Sequence, residues 1–112
     1  MYDVVTFGSA TLDIFVDTNV QEEREDHQII MHYPVGSKLR VENIRFFTGG
    51  GATNTAVSFS RLGLKTGCVA VLGNDLAAEK ILEELKKEKI AFLGKTVKGN
   101  SSYSIILDSA QD

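Results

Sequence analysis

Asp13, the run Gly49-Gly50-Gly51 and Asn54 are the residues of this 112-residue chain whose types and spacing could do chemistry. Consecutive glycines let a backbone approach a ligand with no Cβ in the way. The amides of a helix's first turn, expected just after them, have no partner inside the helix and point outward. A carboxamide both donates and accepts hydrogen bonds, and a carboxylate accepts them. Such a set suits an anion or a polyhydroxylated molecule. A tight turn with Asn54 as a cap and Asp13 as a turn residue would need the same residues and no ligand.

Two phosphate readings fail on spacing. A P-loop requires Gly, four residues, then Gly-Lys-Ser/Thr, and no such Lys follows these glycines. The dinucleotide fingerprint G-x-G-x-x-G fits Gly49 and Gly51, but Asn54 stands where its third glycine belongs. It should also follow a core strand directly, whereas "VENIRFF" is half polar. Asp75, at the end of the next apolar segment, is where that reading would put a ribose-binding acid.

The elements that must position these residues follow from periodicity. Val4 to Phe7 reads as a buried strand that "TLDIFVD" continues. "QEEREDH" (21–27) reads as a solvated loop or edge turn. "QIIMHY" and "KLRVENIRFF", parted by Pro34 and Gly36, read as a β-hairpin with mixed faces. From Thr53 to Leu62 the pattern is helical, with Ala52, Ala56, Phe59 and Leu62 on one stripe and Gly63 as its stop. "TGCVAVLG" (66–73) is a strand apolar throughout, as in parallel sheets covered on both faces. Asn74 and Asp75 are N-cap candidates for a helix with Ala78, Ile81, Leu82 and Leu85 inward. "IAFLG" and "YSIILD" (103–108) close the series. The order is α/β with an added hairpin. So few βα units leave a parallel sheet with an open face, as in the first part of a larger domain.

Composition bounds the partners. Twelve basic residues against 15 acidic ones give a net charge of −3, which points away from nucleic acid and anionic membranes. No apolar run approaches a membrane span, and the N-terminus lacks a basic signal region. Cys68 is the sole cysteine, so a buried core residue in a reducing cytoplasm is expected. His27 and His32 have no partners at metal-ligand spacing, and no metal is expected on this chain.

Gly49-Gly50, Asn54, Ala56, Gly63 and Gly73 match, gap for gap, the N-terminal signature of the ribokinase-like (PfkB) carbohydrate kinases, which this chain resembles over nearly its whole length. "TFGSATLDIFVD" and "AVLGNDLAAEKILEELKKEKI" are similar to the flanking segments of that family. The resemblance implies a partial ribokinase-like, Rossmann-like α/β sandwich with a small β lid. The lid strands would occupy about 14–48 and 101–108. It implies that Asp13 accepts hydrogen bonds from sugar hydroxyls, that Gly49, Gly50 and Gly51 approach the sugar, and that Asn54 bonds another hydroxyl. Phe47 and Tyr103, with Phe46, would lie on lid strands, stacking on a sugar or base or packing within the lid. Lys38, Arg40 and Arg45 would meet a phosphorylated substrate or simply solvate a hairpin face.

The implied activity is transfer of the γ-phosphoryl of ATP, with Mg²⁺, to a hydroxyl of a sugar or nucleoside. The family's Gly-Ala-Gly-Asp catalytic motif does not occur in these residues. Neither turnover nor ATP or Mg²⁺ binding is therefore expected of this chain alone. Lid strands of the family often mediate homodimers, which the mixed hairpin faces would allow. Two other readings stand beside this one: a non-catalytic sugar-binding or assembly module of the same half-fold, and a dinucleotide-binding domain. Gly51 and Ala52, where the family often has Lys and Gly, leave the sugar open.

Overall fold

The computed structural model describes residues 1–109 and divides the chain into two compact units. The first unit comprises Met1–Asp13 and Phe47–Ser104. The second comprises Ile14–Phe46 and the stretch from Ile105.

The first unit is built on parallel strands. β1 (Val4–Phe7) pairs with β6 (Thr66–Val69), and β6 pairs with β8 (Ala91–Phe92), giving the order β1-β6-β8. The register sets Thr6 beside Cys68 and Cys68 beside Phe92. The apolar segment 66–73 is two strands rather than one. After Ala70, β7 (Val71–Leu72) pairs in parallel with β9 (Lys95–Thr96). Cys68, Ala70 and Leu72 are buried.

Helix α1 (Gly51–Arg61) packs on β1 and β6. Its inward residues Ala52, Thr53 and Ala56 are small, so its backbone lies close to the sheet. The buried Thr6 hydroxyl donates to the Ala52 carbonyl at 2.8 Å, pinning the first turn to β1. Leu62, the C-cap, is exposed, so the stripe ends at the half-buried Phe59. Helix α2 (Leu76–Lys87) buries Ala78, Ile81 and Leu85, as its periodicity requires. Ser60 donates to the Glu88 carbonyl at 2.6 Å, and Arg61 grips the Glu88 carboxylate at 2.6 and 3.0 Å.

β1 is not the fully buried strand expected. Thr6 is buried, but Val5 is half exposed and Phe7 is 85% exposed. A strand in a sheet points alternate side chains to opposite faces. α1 covers the Thr6 face, and the Val5–Phe7 face stays open. Nor does β2 (Thr11–Thr18) continue β1; it belongs to another sheet, ordered β10-β2-β5, with β5 at Val41–Gly49 and β10 at Ser102–Ser109.

The second unit holds most of that sheet and a separate hairpin. Thr18, fully buried, donates to the Asp108 carbonyl at 3.3 Å. The hairpin differs from the expected one. The charged run forms strand β3 (Glu22–Glu25), antiparallel to β4 (Gln28–Met31) around Asp26 and His27. Asp26 has φ +52°, which Asp tolerates in a tight turn. The turn at Pro34 exists, with the Ser37 amide donating to the Pro34 carbonyl at 3.2 Å. Residues 37–40 are not strand, and β5 joins β2 instead of β4. A two-residue loop costs less closure entropy than the longer one through Pro34, which favours the nearer partner. Ile44, Phe46 and Ile105 remain exposed. Among the described residues, no helix is long and apolar enough to cross a membrane.

Candidate functional site

Within the first unit, β1 ends at Phe7, and Gly8 to Ala10 lead into β2. β2 carries Thr11 and Asp13 on one face, two residues apart. The Thr11 hydroxyl lies 3.4 Å from Asp13 Oδ1. The end of β5 lies against this pair. A Cβ placed on Gly49 would sit 2.6 Å from Asp13 Oδ2 and 3.0 Å from Thr11 Oγ1. A methyl there would force the Asp13 and Thr11 side chains to shift. Asp13, Thr11 and the Gly49 backbone therefore form one floor.

Gly50 is the N-cap of α1, with φ +97° and ψ +151°, and contributes no side-chain cap. Ser9 takes over that task from the neighbouring strand turn. The Gly51 amide donates to Ser9 Oγ at 3.0 Å, and the Ala52 amide to the Ser9 carbonyl at 3.0 Å. Two of the four donors that a helix start leaves open are thus consumed. This geometry argues against a phosphate at the glycine run more directly than spacing does. Asn54 is not the cap; its amide donates to the Gly50 carbonyl at 2.9 Å, and its side chain is exposed on the first turn. Gly51 stands apart from the floor, with open space where its Cβ would be.

Phe47 on β5 and Tyr103 on β10 lie on the strands flanking β2, each about half exposed. Asp75 has a different role from Asp13. It caps α2 by accepting from the Ala78 amide at 3.0 Å. It also accepts from the Ser101 amide at 2.7 Å and the Ser101 hydroxyl at 2.8 Å. Ser101 in turn receives the Gly73 amide at 2.9 Å. With its acceptors engaged, Asp75 is not placed as a ribose ligand, and the dinucleotide reading falls.

The Ala78 amide above all, then Ser101, holds the Asp75 carboxyl below its ordinary value. A depressed folded-state pKa stabilises the fold above the unfolded value of about 3.9 and loses that contribution as pH falls through the folded value. Asp75→Asn should therefore flatten the loss of stability below about pH 4 and lower the melting temperature at neutral pH. Thermal melts across that range check this. Glu88, lowered by its Arg61 bond, retains its own share in both proteins. Superimposable stability curves would refute the role.

Sequence reasoning missed Ser9 and Thr11. The signal for Thr11 was its i, i+2 relation to Asp13. Ser9 offered none, because its partners lie 42 residues on. It also missed that the β3–β4 register sets His32 Nε2 at 3.2 Å from Glu25 and 3.6 Å from Glu23. All three side chains are exposed, and the contact reads as a surface hydrogen bond between Glu25 and His32, which lies just past the end of β4.

Comparison with known proteins gives the family and the fold. Residues 1–111 match the model of the pfkB family of carbohydrate kinases. A Pyrococcus horikoshii protein described as a sugar kinase is 40% identical over 53 residues, covering 45% of this chain and 17% of its own. A carbohydrate kinase from Agrobacterium tumefaciens superposes with a TM-score of 0.73 at 21% identity, over 97% of this chain and 32% of that one. The Arabidopsis thaliana ribokinase solved with ribose and ATP gives 0.72 at 20% identity, over 95% and 32%. The chain thus spans a minor part of each relative's length.

Proposed function

Because the chain belongs to the pfkB family of carbohydrate kinases, we propose that it supplies the substrate floor and lid of an ATP-dependent sugar or nucleoside kinase. The observation that carries this is the convergence of the Asp13 carboxylate and the Thr11 hydroxyl on the bare backbone of Gly49. Asp13 would accept hydrogen bonds from neighbouring sugar hydroxyls, and Thr11 would orient it. The Gly49–Gly50 backbone would let the ring come close, and Asn54 would bond a further hydroxyl. A half-buried polar pair left unsatisfied by the wrong ligand is costly, which is a source of selectivity.

The second unit would be the lid. Phe47 and Tyr103 would stack on the substrate from the strands beside β2. The exposed Ile44, Phe46 and Ile105 would support lid-to-lid dimerisation. The residues of this chain do not fit a triphosphate, since Ser9 already occupies the Gly51 and Ala52 amides. ATP and Mg²⁺ would be held by other parts of the complete enzyme, in the cytoplasm.

Calorimetric titration of the purified chain with D-ribose, D-fructose and adenosine tests the reading. At least one should bind, and Asp13→Ala should weaken it about tenfold or more. ATP with the same ligands should give no turnover. Binding by none, or indifference to Asp13→Ala, would sink the proposal.

A further inference from the structure

The β3–β4 hairpin brings one imidazole and two carboxylates together, and we infer that Glu23, Glu25 and His32 form a surface site for a divalent transition cation, best suited to Zn²⁺. Spacing along the chain hides this set, because Glu25 and His32 stand seven residues apart and meet only through the hairpin. The site lies within the second unit and stands or falls independently of the sugar floor.

Pleat and register build the cluster. Side chains of a strand alternate between faces, so Glu23 and Glu25 share one face of β3. Glu25 stands opposite Gln28 and Glu23 opposite Ile30, two residues before His32. Arg24, the one cation in β3, stands opposite Ile29 and falls on the other face. Glu22 is on that other face too, where it accepts from the Ser109 hydroxyl. Two like charges are thus left side by side on the His32 face, at a Coulombic cost that a dication between them would reverse.

The distances fit an ion. His32 Nε2 is 3.2 Å from Glu25 Oε1 and 3.6 Å from Glu23 Oε2. One ring N–H serves one carboxylate well, so the hydrogen bond to Glu25 accounts for one of these two approaches. One donor atom from each of the three residues lies within 4.8 Å of the others. Around a tetrahedral zinc with bonds of about 2.0–2.1 Å, ligand atoms sit roughly 3.3 Å apart. The two imidazole spacings bracket that value. The two carboxylates close on each other by side-chain rotation, which their exposure permits. A water would complete the fourth position. Imidazole with carboxylates suits zinc, whereas Mg²⁺ and Ca²⁺ take oxygen ligands. β3 and β4 form a two-stranded sheet of their own, and such a hairpin is marginally stable by itself. An ion held by Glu23, Glu25 and His32 would staple β3 to the segment after β4.

Calorimetric titration of the purified chain with ZnCl₂, and with MgCl₂ and CaCl₂ in parallel, tests the site. One Zn²⁺ per chain should bind, about tenfold or more tightly than either other ion. His32→Ala and Glu23→Gln should each weaken Zn²⁺ about tenfold or more. His27→Ala, in the β3–β4 turn, should leave the affinity unchanged. Zn²⁺ should also slow hydrogen exchange of the β3 and β4 amides in the parent chain and not in His32→Ala. Absence of saturable Zn²⁺ uptake overturns the site, as does uptake indifferent to His32→Ala or lost with His27→Ala. Uptake indifferent to Glu23→Gln overturns the three-ligand arrangement, and Mg²⁺ or Ca²⁺ binding as tightly as Zn²⁺ overturns its preference for a transition ion.

Discussion

Gly50→Ala is expected to destabilise the chain by about 3–5 kcal/mol, whereas Gly51→Ala next to it stays within about 1 kcal/mol of the parent. At φ +97° and ψ +151°, Gly50 occupies a region that L-residues essentially avoid. Its added methyl would lie 2.5 Å from the Ser9 carbonyl oxygen, 2.8 Å from its carbon and 3.1 Å from Ala10 Cα. These are backbone atoms and cannot rotate aside. The strand turn at Ser9 would have to move, taking with it the two hydrogen bonds that start α1. Gly51 has open space at its Cβ position and lies in a helix, where Ala is the better residue. Melting temperature reads the contrast, with a fall of roughly 15 °C or more for Gly50→Ala. Equal effects of the two substitutions would show that the close approach does not exist.

That contrast also shows what the sequence could and could not reveal. Three identical letters in a row carry three different roles: a floor beside Asp13, a crossing over Ser9 and an ordinary helix start. Helices α1 and α2 were legible because their signals are local. Apolar spacing marked the inward faces, Gly63 ended one helix and Asp75 began the other. β6 was legible because a covered parallel strand must be apolar on both faces. The failures all involve partners remote in sequence, or a choice between partners. β3 is a strand because β4 pairs with it, although its side chains are charged and exposed. The Pro34 turn was visible, but nothing local says that β5 prefers β2.

The two acids of the α/β unit make the same point about the site. Asp13 and Asp75 both follow glycine-bearing turns, and both fit a ligand-binding role on paper. Asp75 accepts from one amide at the α2 start and from two donors of Ser101, 26 residues away. Asp13 has the Thr11 hydroxyl at a long 3.4 Å and Gly49 across from it. Accepting capacity distinguishes them, and it depends on tertiary neighbours rather than on spacing.

Gly49→Ala is expected to separate function from stability. Nothing about the Gly49 backbone is left-handed, so its methyl introduces no dihedral strain. The methyl meets side-chain atoms, Asp13 Oδ2 at 2.6 Å and Thr11 Oγ1 at 3.0 Å, which can shift where the Ser9 backbone cannot. Overpacking of this kind costs about 1–2 kcal/mol, well short of the loss for Gly50→Ala. The shift nevertheless moves the carboxylate from the floor, and losing its hydrogen bonds to the sugar costs about tenfold in affinity. Sugar affinity should therefore fall about that far in a chain that still melts cooperatively. A double-mutant cycle identifies the route. If the methyl acts through Asp13, adding Gly49→Ala to Asp13→Ala should weaken binding little further. Fully additive losses would mean that the glycine contributes its own close approach to the sugar, independent of where the carboxylate points.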